Sequence, residues 1–175
     1  MWDTAGGPFL ATAGLLVVAG VPKVADPLPL VRALRAAGMP VPRLLVRTMA
    51  LAEVAIGGWA LVAPGRAASG LVAAAYLVFT AFVARVLARG GVLASCGCFG
   101  KADTPATRTH LALTAAAMLV ALWATLDPPE RVWSHVDAAT VTTVGLGAVI
   151  AFLAWQVMAV LPTTTPAAVR TTTKG

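Results

Sequence analysis

Charged residues are scarce. Asp, Glu, Lys and Arg make up 11% of the 175 residues, less than half the roughly 25% of soluble domains. A chain that is 59% hydrophobic, with a mean hydropathy of +0.85, could not coat a soluble core with so few charges. Aromatics are also few, at 6%, and the apolar mass is mostly Ala, Val and Leu. The net charge of +6 and pI near 10.4 raise a nucleic-acid reading. It fails because no basic stripe is interleaved with aromatics. Two cysteines are too few for a disulfide scaffold. Met1 to Gly7 contains no Lys or Arg, so the first apolar run lacks the positive segment of a signal peptide and reads as a retained span. Phosphate loop, G-x-G-x-x-G, H-E-x-x-H and a defensible Ser-His-Asp set are all missing, and no cofactor is implied.

What is present is a series of long uncharged runs. Crossing a bilayer takes about 20 apolar residues. Five candidate spans meet that length: about 6–25, 44–64, 67–88, 108–126 and 138–161. None alternates with period two, which excludes a membrane barrel. The expected fold is an all-α, polytopic transmembrane helix bundle. Four helices form a core over 1–127, followed by an outer loop and a fifth span over 128–161 and a disordered Thr-rich tail over 162–175. Between the first two spans, Pro27 and Pro29 break the helix. Leu30, Val31 and Leu34 can then share a face flanked by Arg32 and Arg35. That pattern fits a short interfacial helix or an ordinary basic loop.

The charges orient the spans. With the N-terminus outside, the inner side receives Lys23, Arg32, Arg35, Arg43, Arg47, Arg85, Arg89, Lys101, Arg108, Arg170 and Lys174, and the outer side only Arg66 and Arg131. That ratio of 11 to 2 favours N-out and C-in. Trp2, Trp59, Trp123 and Trp133 fall near the outer boundary, as an aromatic belt would.

Chemistry centres on Ser95-Cys96-Gly97-Cys98-Phe99-Gly100, between spans three and four. Two thiols one glycine apart can close a strained, readily reduced disulfide suited to transfer chemistry. They can offer two soft thiolates to Cu(I) or half of a larger metal site. They can also be small residues in a turn. Arg89, Lys101 and Arg108 would stabilise thiolates they faced, and a complete zinc site lacks ligands, since only His110 lies close.

Glu53 lies roughly 13 Å into the second span at 1.5 Å per residue, where an unpaired carboxylate costs several kcal/mol. It should face the bundle interior, as a functional group or in a structural ion pair, with Lys23 or Arg85 as cation. Gly57 and Gly58 would let another helix approach closely. His110 opens the fourth span as a base for a thiol or as an interfacial histidine without a further role.

Ala19-Gly20-Val21-Pro22-Lys23, Leu51-Ala52-Glu53-Val54-Ala55-Ile56-Gly57 and Arg89-Gly90 followed by Cys96-Gly97-Cys98-Phe99-Gly100 are together similar to the MauE/DoxX-like family of small membrane proteins, most closely to the methylamine-utilisation protein MauE. The resemblance covers about residues 8–127. It implies a four-helix protein of the bacterial inner (plasma) membrane engaged in thiol redox work, helping to mature a disulfide-rich partner beside a thioredoxin-like protein. Family positions map onto Cys96 and Cys98 as the reacting pair, with Glu53 and Lys23 in support. The fifth span and tail depart from the family, and charge counting puts the cysteines inside rather than on the exported side. The expected activity is a thiol–disulfide relay or maturation factor. A non-catalytic subunit of a larger membrane complex and a metal carrier using the two thiolates are the alternatives.

Overall fold

The computed structural model describes residues 6–36, 38–88, 107–129 and 137–160. Among these residues the chain is helical, without strands. The helices are α1 (Gly6–Ala25), α2 (Leu28–Ala36), α3 (Arg43–Val62), α4 (Arg66–Ala88), α5 (Arg108–Leu126) and α6 (Ala138–Trp155). A wider π-type turn, Gln156–Val160, extends the last. All but α2 are long and apolar enough to cross a membrane. The expected all-α polytopic bundle is the fold. A helix suits this setting because it pairs each backbone N–H and C=O internally, where hydrocarbon offers no partner.

Local signals set the ends. α1 carries Pro22 and Lys23 in its closing residues and stops before Pro27. The Arg47 Nε–H donates to the Val24 carbonyl (2.9 Å), satisfying an orphan acceptor of the helix end. Thr107 caps α5 by accepting from the His110 backbone N–H (3.3 Å). Asp137 caps α6 through the Thr140 backbone N–H (2.7 Å), the ordinary use of these side chains.

The 28–36 segment is a helix rather than a loop. Its Val31 and Ala33 are buried while Arg32 and Arg35 are exposed, and Asp26 Oδ1 accepts from the Leu28 N–H (3.0 Å) to start it.

α1 is the central element. It packs against α3 on one flank and α6 on another, and meets α5 and α4 behind, where those two helices pair. The core is built from Phe9, Ala13, Leu16, Ala60, Val72, Tyr76, Ala121 and Ala124, with small residues where backbones come close. Large apolar side chains face outward instead: Leu44, Val62 and Leu126 are each more than 70% exposed. That surface is solvated by lipid, the contact expected of such a multi-pass protein. The N-terminal end of α3 and α5 and the C-terminal end of α1 and α4 share one end of the bundle, which carries Lys23, Arg43, Arg47, Arg85 and Arg108; we call it the basic end. Trp59 and Trp123, both exposed, lie toward the other.

Candidate functional site

A buried ion pair joins the two helices that pack most closely. Lys23 Nζ donates to Glu53 Oε2 at 2.6 Å, with side chains 2% and 8% exposed. Two glycines make this approach possible. A Cβ on Gly20 would meet Val54 Cγ2 at 2.8 Å and the Ala50 carbonyl at 3.0 Å, and one on Gly57 would meet the Ala13 carbonyl at 2.8 Å. Any side chain there would push α1 from α3 and separate the charges. Gly58, the other glycine expected to serve this purpose, faces open space. Adjacent positions on a helix point about 100° apart, so only one can lie on the seam.

The pair has further support. Lys23 Nζ lies 4.8 Å from the centre of the Phe79 ring, within range of a cation–π contact. Phe79 meets Tyr76 edge to face at 5.8 Å. The Tyr76 hydroxyl donates to the Thr12 carbonyl (2.9 Å), tying α4 to α1. Lys23 is also near the C-terminus of α1, where the helix dipole favours a cation. Arg85, the alternative partner for Glu53, is exposed on α4. Among the described residues, Lys23 and Glu53 are the buried charged groups.

His110 is 1% exposed, unlike an interfacial histidine open to water. Its Nε2 meets the Met158 carbonyl at 3.0 Å and its Nδ1 meets Thr107 Oγ1 at 2.8 Å. A carbonyl only accepts, so Nε2 carries the proton and Nδ1 accepts from the Thr107 hydroxyl. The same hydroxyl oxygen accepts from the His110 backbone N–H. The ring thereby ties the start of α5 to the last turn after α6.

Sequence reasoning missed Tyr76, Phe79, Thr12 and the Met158 carbonyl. Tyr76 had a signal: it is the single tyrosine of the chain, inside an uncharged span, and a buried hydroxyl needs a partner. Cys96, Cys98, Arg89 and Lys101 lie outside the described residues, as do Trp2, Trp133 and the tail 162–175. Arg108 is exposed at the start of α5. The described residues that flank the cysteine segment, Ala88 and Thr107, are both at the basic end, on the same side of the bundle as Lys23. No group of three or more His, Cys, Asp or Glu able to hold a metal occurs among the described residues.

The order of these features along the chain agrees with a known pattern: the family model of methylamine utilisation protein MauE matches residues 5–127. The chain belongs to the MauE family. The match spans α1 to α5 and includes Lys23, Glu53, Cys96, Cys98 and His110, whereas α6 lies beyond it. The buried ion pair is thus a feature of the MauE portion, and the His110 bond links that portion to the added helix. No curated protein and no solved structure matches the chain.

Proposed function

We propose that this MauE-family protein is a membrane thiol–disulfide relay that matures a partner protein, with Cys96 and Cys98 as its reacting pair. The observation that carries the reading is that both cysteines of the chain fall within three consecutive positions, 96–98, inside the MauE-matched stretch. In the reducing direction, one thiolate attacks the partner's disulfide and forms a mixed disulfide. The second thiol then displaces the partner, which leaves as a dithiol, and two electrons pass from the Cys96–Cys98 pair as its own disulfide closes. The partner suited to this exchange is a thioredoxin-like protein. The small ring of a Cys-x-Cys disulfide is strained and easily reopened, which suits turnover.

In this reading Lys23 and Glu53 hold α1 and α3 rigidly at the end of the bundle to which the cysteine segment is anchored, and Arg89 and His110 flank that segment in the chain. The charge asymmetry supports a bacterial plasma-membrane protein with its N-terminus outside and its cysteines inside.

One observation favours a second reading, a non-catalytic assembly subunit of a larger membrane complex. The buried charges among the described residues neutralise each other, and both His110 nitrogens are bonded, so neither is free for proton transfer. The deciding experiment traps thiols in intact cells with a membrane-impermeant and then a permeant reagent. A redox-titratable pair that forms mixed disulfides supports the relay, and the reagent that labels it gives the side. Thiols indifferent to oxidant, with assembly intact in Cys96→Ser/Cys98→Ser, support the subunit. Metal bound in stoichiometric amount to the purified chain would instead make it a carrier.

A further inference from the structure

α5 and α6 both lean on α1 but scarcely touch each other, and a cavity of about 160 Å³ lies between them. Ala11 and Leu15 of α1 form its floor, Ala117 stands on the α5 side and Ile150 and Met158 on the α6 side. Its rim is open: Ile150 is 41% exposed, and Ala116, which also lines it, is exposed too. Both rim residues lie near the middle of their spans, so the opening faces the depth of the hydrocarbon rather than water.

Polar groups in the lining are already engaged. Thr12 donates to the Pro8 carbonyl, Thr114 to the His110 carbonyl, Tyr76 to the Thr12 carbonyl and Lys23 to Glu53. A polar ligand group entering here would be desolvated with nothing in exchange. An empty cleft would forfeit the dispersion contacts of its walls. An apolar cavity of about 150 Å³ is large enough to take up benzene, while a helix, about 10 Å across, is far too wide.

We infer that the α5–α6 cleft is a binding site for one acyl chain of a bilayer lipid, and that α6, which the MauE match does not include, builds its outer wall. The chain inserts sideways between Ala116 and Ile150 with its headgroup left at the membrane surface. It packs against the carbon stem of Lys23 and keeps water from the Lys23–Glu53 pair. The inference rests on the helix packing and not on the thiol reading.

The test places the full-length protein in nanodiscs containing a phospholipid with a mid-chain diazirine, and maps the photoadducts by peptide mass spectrometry. Adducts should concentrate on 113–120 and 150–158, and should fall severalfold in Ala154→Phe, which fills the cleft. Labelling of the exposed α3 and α4 surfaces around Leu51 and Leu77 should be unchanged, which reports that the variant is folded. Should Ala154→Phe lose that surface labelling too, Ala116→Phe at the rim replaces it. Adducts spread evenly over every lipid-exposed face, or cleft labelling that survives the filling substitution, would overturn the inference. So would a photoreactive residue at position 116 that captures a second protein chain in place of lipid.

Discussion

α1 presents two seams, and they are built differently. Toward α3 it offers Gly20 to a close helix and completes the contact with a buried ion pair. Toward α6 it also uses glycines, since a Cβ on Gly147 would sit 3.0 Å from the Gly7 carbonyl, but no charge crosses that seam. Twelve of the 20 residues of α1 are buried, whereas of the 18 in α6 only Gly147 is. In lipid, packing and hydrogen bonds rather than hydrophobicity hold helices together. The first seam has an electrostatic lock that fails if either partner moves. Among the described residues the second is held by shape, and the polar tie of the α6 end, the His110–Met158 bond, runs to α5 rather than to α1. The locked seam lies in the MauE-matched stretch and the looser one joins the helix beyond it, so α6 is the helix expected to move independently.

Breaking the lock should have the largest effect. Lys23→Ala leaves Glu53 buried without its cation, and removing one partner of such a pair costs about 3–5 kcal/mol. The loss would be read as reduced resistance to unfolding of the detergent-solubilised protein. The double variant Lys23→Met/Glu53→Leu should recover most of it, because no charge is stranded. Equal losses in the single and double variants would mean that the pair does not lock the seam.

Next in size is overpacking. Gly20→Val or Gly57→Val puts a side chain against backbone carbonyls and should cost about 1–3 kcal/mol, while Gly58→Val, in open space, should cost far less. Similar losses at Gly57 and Gly58 would contradict the seam geometry.

The attachment of α6 is tested through the polar tie of its last turn to α5. His110→Leu leaves the Met158 carbonyl without its donor, at about 1–3 kcal/mol for an unsatisfied buried group. The effect should be local: amide hydrogen exchange should accelerate around 150–160 and not in α3. Acceleration in both helices would mean that α6 is part of the same cooperative unit as the core.

The smallest effect is expected at the exposed start of α6. The Thr140 backbone N–H holds the Asp137 carboxyl below its usual range, so its contribution is present above the unfolded value and is lost as pH falls through the lower, folded value. Asp137→Asn should flatten the acid-side dependence of α6 exchange without touching α3.

The spans were legible because hydropathy is a local property: a run of about 20 uncharged residues meets the thickness of the membrane wherever it lies in the chain. Glu53 was legible because a carboxylate in such a run must find compensation, and Lys23 was named as a candidate cation. Choosing Lys23 over Arg85, and Gly57 over Gly58, was not legible. Both choices depend on helix rotation, and these spans are apolar on nearly every side, so their patterns do not mark an inward face. His110 looked interfacial because it opens a helix, and its burial depends on where the turn after α6, 48 residues onward, comes to rest.

From composition and periodicity alone, the chain reads as a helical membrane protein with five candidate spans, because each long uncharged run matches the membrane thickness and a helix satisfies its own backbone there. Tertiary structure decided which faces meet. It pairs Lys23 with Glu53 through two glycines, ties His110 to a distant carbonyl and leaves a cleft between α5 and α6. Those outcomes rest on the fit of side chains between helices remote in sequence, which no local pattern encodes.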